Sequence, residues 1–198
     1  MVAALSAFTG RVMPRTLRFL TLAAFFVLSL AGPALAADLE NTLYMDVPAG
    51  RVVIELRPDI APATVARIKE LTRQGFYNGL KFHRVITGFM AQTGDPRGDG
   101  TGGSGKNLKA EFSSARFVRG TVGMARAQDP DSADSQFFIC FAPAPFLDGK
   151  YTVFGQVVSG MEYVDAIKKG DPKDNGRVTN PDRIIRMQVA ADAEKPGH

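Results

Sequence analysis

Residues 82–95 read Phe82-His83-Arg84-Val85-Ile86-Thr87-Gly88-Phe89-Met90-Ala91-Gln92-Thr93-Gly94-Asp95. The stretch sets a basic residue and a carboxamide among large apolar side chains, a mixture a plain core strand would not choose. Alternate side chains on a strand share a face, so the pattern predicts Phe82, Arg84 and Ile86 on one side, with His83 and Val85 on the interior side. Gly88 permits a bend. A second short run then has Met90 and Gln92 on one face, with Phe89 and Ala91 opposite. One tight turn therefore brings an arginine, an amide and a Phe/Met cluster together, the chemistry of an apolar pocket with a cationic rim.

The chain has 198 residues and a formal net charge of +4. Its N-terminal part reads as a targeting segment: Arg11, Arg15 and Arg18 lead into an apolar run from Phe19 to Ala31, and Ala34-Leu35-Ala36 has the small-residue spacing of a cleavage site. The expectation is a signal peptide over 1–36, cut after Ala36, and a periplasmic mature protein. The alternative is an uncleaved membrane anchor, which needs about 20 apolar residues; Gly32-Pro33 interrupts the run earlier, so no stable membrane insertion is expected after cleavage. Translation from Met13 would give an equally readable leader. The leader carries three arginines and no acid, leaving 24 − 3 = 21 basic against 20 acidic residues in the remaining 198 − 36 = 162. That balance disfavours nucleic acid as a partner, because phosphate binding needs a concentrated basic surface. The length suits one domain, 37–198, with a loose polar tail from about residue 192. A single cysteine, Cys140, sits in the apolar run Phe137–Phe141. It excludes an intramolecular disulfide and reads as a buried, inert thiol.

Two β-rich runs, 41–47 and 51–56, flank Pro48-Ala49-Gly50 and read as a hairpin. A helix follows from Pro62, with Val65, Ile68 and Leu71 on one face and Gly75 as its stop. Residues 121–124, 136–141 and 152–158 are further short strands; 161–169 has helical spacing and 184–189 is a closing strand. The glycine-rich segment Gly94–Lys106 comes within one residue of a phosphate-binding loop at Gly100–Asn107. Asn107 replaces the hydroxyl that would hold magnesium, and no all-apolar strand enters the loop, so no nucleotide is expected. Asp95 and Asp99 lack the ligand ladder of a calcium loop, so no metal is expected either. The pattern is mainly β with two helices, a sandwich or a barrel.

Several blocks occur in a telling order: Phe82-His83-Arg84-Val85-Ile86, Gly88-Phe89-Met90-Ala91-Gln92, Gly94-Asp95, Gly100-Thr101-Gly102-Gly103, Gly123-Met124-Ala125, Ser135-Gln136-Phe137-Phe138-Ile139, Phe146-Leu147-Asp148-Gly149-Lys150 and Val153-Phe154-Gly155. The set resembles the cyclophilins, from about Asn41 to Val189. The resemblance implies a closed eight-stranded antiparallel β-barrel capped by two α-helices, and peptidyl-prolyl cis–trans isomerase activity. It implies no cofactor, since no substrate bond is broken. Arg84 then takes the catalytic role, and Phe89, Met90, Phe138 and Leu147 hold the proline ring. Gln92 and the backbone around Ala125 and Arg126 bind the peptide, Gln136 fixes the rim, and Tyr151 packs at the pocket edge. Expected partners are proline-containing peptides and folding exported proteins, bound by a monomer. A binding module with the same groove and little turnover is the alternative; keeping Arg84, Phe89, Gln92 and Phe138 together favours the enzyme. Three positions depart from many eukaryotic members, which have tryptophan at Phe146, histidine at Tyr151 and asparagine at Arg126; the bacterial exported branch resembles this chain at all three. A phenyl ring lacks the indole N–H, so weak cyclosporin binding is expected.

Overall fold

A computed structural model describes residues 38–193; the leader at 1–36 and residues 194–198 of the tail lie outside them. The hairpin forms as β1 (Thr42–Val47) and β2 (Gly50–Leu56), pairing Leu43 with Ile54 and Met45 with Val52. Their alternation has the predicted cause. Leu43, Met45, Val47, Val52, Ile54 and Leu56 are all buried, while Tyr44, Asp46 and Val53 between them are half-buried and Glu55 is exposed. Helix α1 (Pro62–Arg73) starts on a proline at its first turn, where the missing N–H costs nothing. Its first free N–H groups, of Ala63 and Thr64, donate to the Glu111 carboxylate at 2.9 and 2.8 Å, so the cap comes from 48 residues away. Val65, Ile68 and Leu71 are its buried stripe, as the spacing predicts.

The remaining strands are β3 (Arg84–Ile86), β4 (Met90–Thr93), β5 (Thr121–Met124), β6 (Phe137–Cys140), β7 (Val153–Ser159) and β8 (Arg186–Val189). All eight form one antiparallel sheet in the order β3-β4-β6-β5-β7-β2-β1-β8. The sheet curls into a half-barrel, where the resemblance implied a closed one. The edge strands β3 and β8 do not pair along their length. The segments before them meet instead through an isolated bridge, Lys81 with Arg183, and bonds such as Phe82 N–H to the Asp182 carbonyl.

Helix α2 (Met161–Asp165) is shorter than the predicted 161–169: after Ala166 the chain turns, and Gly170 N–H donates to the Val85 carbonyl. A short helix, α3 (Ala190–Ala193), ends the described residues, with Asp192 bonded to Arg73 at 2.8 Å; the rest of the tail expected to be loose from about residue 192 lies outside them. Cys140 is fully buried, as read, and burial pushes its thiol up to about 12.

The sheet has two apolar sides. Phe137, Ile139, Ala91, Val85 and Phe82 join the main core with β1, β2 and α1. Phe138, Cys140 and Met90 point the other way and gather Phe117, Ala144, Leu147 and Val153 into a second cluster. This corrects the expected faces of the opening stretch. Phe82 belongs with Val85 in the main core, not with Arg84, because β3 begins only at Arg84 and strict alternation does not extend back to residue 82.

Candidate active site

The sheet register builds a row of side chains across four strands. Arg84 of β3 sits opposite Gln92 of β4, Gln92 opposite Phe138 of β6, and Phe138 opposite Gly123 of β5. Directly opposed residues on one face lie within side-chain reach, so residues 54 positions apart in the chain become neighbours. Gly123 ends the row because a Cβ there would stand 2.9 Å from the Phe138 ring and 2.6 Å from Phe117. The two rings instead stack over the bare backbone, with centroids 5.7 Å apart.

A cleft of about 890 Å³ opens above the row. Arg84, Phe89, Met90, Gln92, Ala125, Arg126, Phe138, Phe146, Leu147 and Tyr151, all anticipated, line it. Met90, Phe138 and Leu147 are almost wholly buried and make its floor, while Phe146 is 60% exposed at the lip. The Phe146 ring lies 5.3 Å from that of Phe89. Phe89 is thus on the cleft side, not opposite Met90, because it occupies the turn before β4 and escapes the strand's alternation. Gln136 lines a smaller adjoining cavity of about 290 Å³, which shares Gln92, Ala125 and Arg126 with the main cleft.

The Arg84 guanidinium makes its hydrogen bonds to neutral acceptors: Nε to the Asn175 carbonyl at 3.0 Å, Nη2 to Asn175 Oδ1 at 3.0 Å and Nη1 to Gln92 Oε1 at 3.1 Å. No salt bridge engages it among the described residues. A surface strand arginine would pair with a carboxylate; the partners of Arg84 are neutral instead. Burial lowers its pKa from the ordinary value, with Tyr151 acting in the opposite sense, but an arginine stays protonated in proteins. Three of its five N–H groups are engaged, so two remain to donate.

Asn175 is a site residue that the sequence does not mark, since Asp174-Asn175-Gly176 shows only a turn. The available signal was the asparagine itself, one of the few residues that tolerates the left-handed backbone it adopts here, φ 48°. His83 also departs from expectation. It is buried as predicted, yet it lines the same cleft as Arg84. Its short segment precedes β3, so the strand rule that set it on the far side does not apply.

Burial pulls the His83 pKa below the usual imidazole value, against the raising effect of Asp95, with Arg84 reinforcing the fall. The folded state therefore prefers the neutral ring, whereas the unfolded chain binds a proton near pH 6.5. Stability is expected to fall as pH drops below about 6.5, until the folded group also protonates. Urea midpoints between pH 7.5 and 5 test this; the decline should flatten in His83→Gln.

The Arg126 side chain braces the cleft wall. Its guanidinium lies 4.5 Å from the centroid of the Tyr151 ring and donates to the carbonyls of Ala127, Gln128 and Lys150 at 3.0, 2.9 and 3.0 Å. It binds two segments of the cleft wall together. The Ala125 N–H is committed to the Gln136 carbonyl at 2.9 Å, which leaves the carbonyl edge of that segment for a ligand.

Comparison with known proteins agrees with this geometry. Residues 42–189 match the family described as cyclophilin type peptidyl-prolyl cis-trans isomerase/CLD. A probable peptidyl-prolyl cis-trans isomerase of Brucella suis is 56% identical over 189 residues, covering 88% of this chain and 96% of that protein. Peptidyl-prolyl cis-trans isomerase B of Bacillus subtilis is 45% identical over 130 residues, covering 65% of this chain and 90% of its own. Among solved structures, cyclophilin AquaCyp293 from Hirschia baltica superposes with a TM-score of 0.71 at 27% identity, covering 78% of this chain and 76% of its own. A Cryptosporidium parvum cyclophilin, crystallised in the presence of the dipeptide Ala-Pro, gives 0.68 at 27% identity, with 75% and 98% covered. The chain belongs to the cyclophilin-type peptidyl-prolyl cis-trans isomerase family and carries that family's isomerase activity.

Proposed function

We propose that the protein is exported to the periplasm and accelerates X-Pro rotation while other exported proteins fold, by stabilising the twisted amide without covalent chemistry. Rotation must cross about 18–20 kcal/mol because amide resonance is lost midway. As the bond twists, the lone pair localises on the prolyl nitrogen and creates an acceptor absent from either planar form. A donor aimed at that nitrogen lowers the barrier without tightening ground-state binding, each tenfold gain in rate requiring about 1.4 kcal/mol. The observation that carries this reading is a guanidinium held by neutral acceptors, with N–H groups to spare, at the edge of an apolar slot floored by Phe138, Met90 and Leu147. Phe89 and Phe146 flank the proline ring, and Gln92 and the Ala125 carbonyl edge hold the peptide. Tyr151, braced by Arg126, closes the far side of the slot.

The test is refolding of a secreted protein whose slow phase is limited by proline isomerisation, tens of seconds unaided. Catalytic amounts of the mature protein should accelerate that phase, and no acceleration at any ratio would refute the folding role. The exported placement rests on Arg11, Arg15, Arg18, the apolar run and Ala34-Leu35-Ala36. N-terminal sequencing of the periplasmic fraction should begin at Ala37; recovery only with membranes would favour the anchor.

Cyclosporin should bind weakly, because Phe146 offers a ring at the lip but no N–H. Phe146→Trp is expected to tighten inhibition roughly tenfold, the worth of one added hydrogen bond. Tight inhibition of the unaltered protein, unchanged by the substitution, would disprove this.

A further inference from the structure

The glycine-rich segment from Gly94 to Lys106 is the one prominent motif that the isomerase reading leaves without a task. Its resemblance to a phosphate-binding loop has a specific reason to lead nowhere. The anion such a loop would capture is already supplied from within: the Asp95 carboxylate, 1% exposed, accepts the N–H groups of Arg97, Asp99 and Gly100 at 2.8, 3.1 and 2.6 Å. Burial alone would raise that carboxyl; backbone N–H groups of the loop, those of Arg97 and Gly100 foremost, outweigh it and the net shift is down. The other arm of the loop is fixed by Asp134, which accepts the N–H groups of Ser104 and Gly105 at 3.0 and 2.8 Å and a short hydrogen bond from the Ser104 hydroxyl. Two internal carboxylates thus hold the loop's backbone in one shape.

That shape presents two carbonyls to the site. Gln136 Nε2 donates to the Gly100 and Gly102 carbonyls at 3.0 and 2.8 Å, and its Oε1 accepts from Gln92 Nε2 at 2.9 Å. Gln92 Oε1 in turn accepts from Arg84 Nη1 at 3.1 Å. The direction of every bond is forced. A guanidinium can only donate and a backbone carbonyl can only accept. Each of the two amides between them therefore has a single orientation that satisfies the chain.

We infer that the glycine-rich loop, through Gln136 and Gln92, is the positioning device for the Arg84 guanidinium, with Asn175 as the opposing brace. Gln136 is then a positioning residue that acts through Gln92. This rests on the reading of Arg84 as the transition-state donor, where a displacement of about 1 Å can cost on the order of a hundredfold in rate.

The test is a double-substitution cycle with Gln136→Leu, Arg84→Ala and both together, measured as kcat/KM on a short X-Pro peptide. Gln136→Leu alone should lose roughly 10- to 100-fold, mostly in kcat. In the Arg84→Ala background the same change should cost less than about twofold, because nothing is left to position. Equal losses in both backgrounds would overturn the inference, since Gln136 would then act on the peptide or on the fold directly. Should Gln136→Leu not fold, the near-isosteric Gln136→Glu replaces it; it removes the donor facing Gly100 and Gly102 and should show the same loss and the same non-additivity. Failure of the underlying reading looks different: Arg84→Ala would itself retain full activity.

Discussion

Replacing Arg84 by alanine is expected to lower kcat/KM by about two to three orders of magnitude, or roughly 2.7–4 kcal/mol of transition-state stabilisation, the range seen when one preorganised donor is removed. A protease-coupled assay on an X-Pro peptide measures it. The loss should fall on kcat, because the planar ground state offers the guanidinium no nitrogen acceptor, and the apolar floor that binds the ring is untouched. Folding stability should change by less than about 0.5 kcal/mol: the side chain is partly exposed and engaged in no salt bridge among the described residues, so its removal strands no buried charge. Arg84→Lys should recover little. One ammonium on a flexible stem cannot hold Asn175 and Gln92 in a plane and still direct a donor at the substrate. Activity of Arg84→Ala within a fewfold of the unaltered protein would remove the catalytic assignment while leaving the fold intact.

Gly170→Ala should be the most damaging single methyl addition near the site. A Cβ at this position would stand 1.8 Å from the Gly176 carbonyl oxygen and 2.8 Å from that of Arg177, both backbone atoms with no rotamer to escape into. Gly170 N–H is bonded to the Val85 carbonyl, and the turn from Asp171 to Arg177 carries Asn175, whose two oxygens hold Arg84. The methyl can be accommodated only by pushing that turn away from β3. Overpacking of this kind costs about 3 kcal/mol, which for a domain of this size lowers Tm by roughly 6–12 °C. Activity should fall as well, by on the order of tenfold, as Arg84 loses its brace. An unchanged Tm would mean that the turn does not lie against β3 in solution.

Gly170 and Arg84 illustrate two kinds of information in the chain. Local periodicity was enough for the hairpin of β1 and β2 and for the stripe of α1. In both, the residues that define the pattern are a few positions apart and the partner surface need only be apolar. Cys140 was readable for the same reason. The arginine, amide and ring cluster of residues 84–92 was also legible as an unusual composition, and the ordered blocks named the family.

What the local pattern could not supply was the extent of each element. Alternation reads as continuous from Phe82 and again from Phe89, yet in this stretch hydrogen-bonded strand exists only at 84–86 and 90–93, so Phe82, His83 and Phe89 take other faces. Helical spacing runs on past Asp165 to Lys169, although the helix ends at Asp165 and Gly170 is drawn back to Val85.

By itself, then, the sequence determined a mainly β domain, its family, its chemistry and nearly all the side chains that line the cleft, because burial and hydrogen-bonding capacity are properties of single residues and short runs. Only the tertiary structure decided that Arg84, Gln92, Phe138 and Gly123 stand in one row, that Asn175 reaches Arg84 from 91 residues away, and that the sheet stops at a half-barrel. Register between strands and contacts made by loops are set by the packing of the whole core, and no local propensity encodes them.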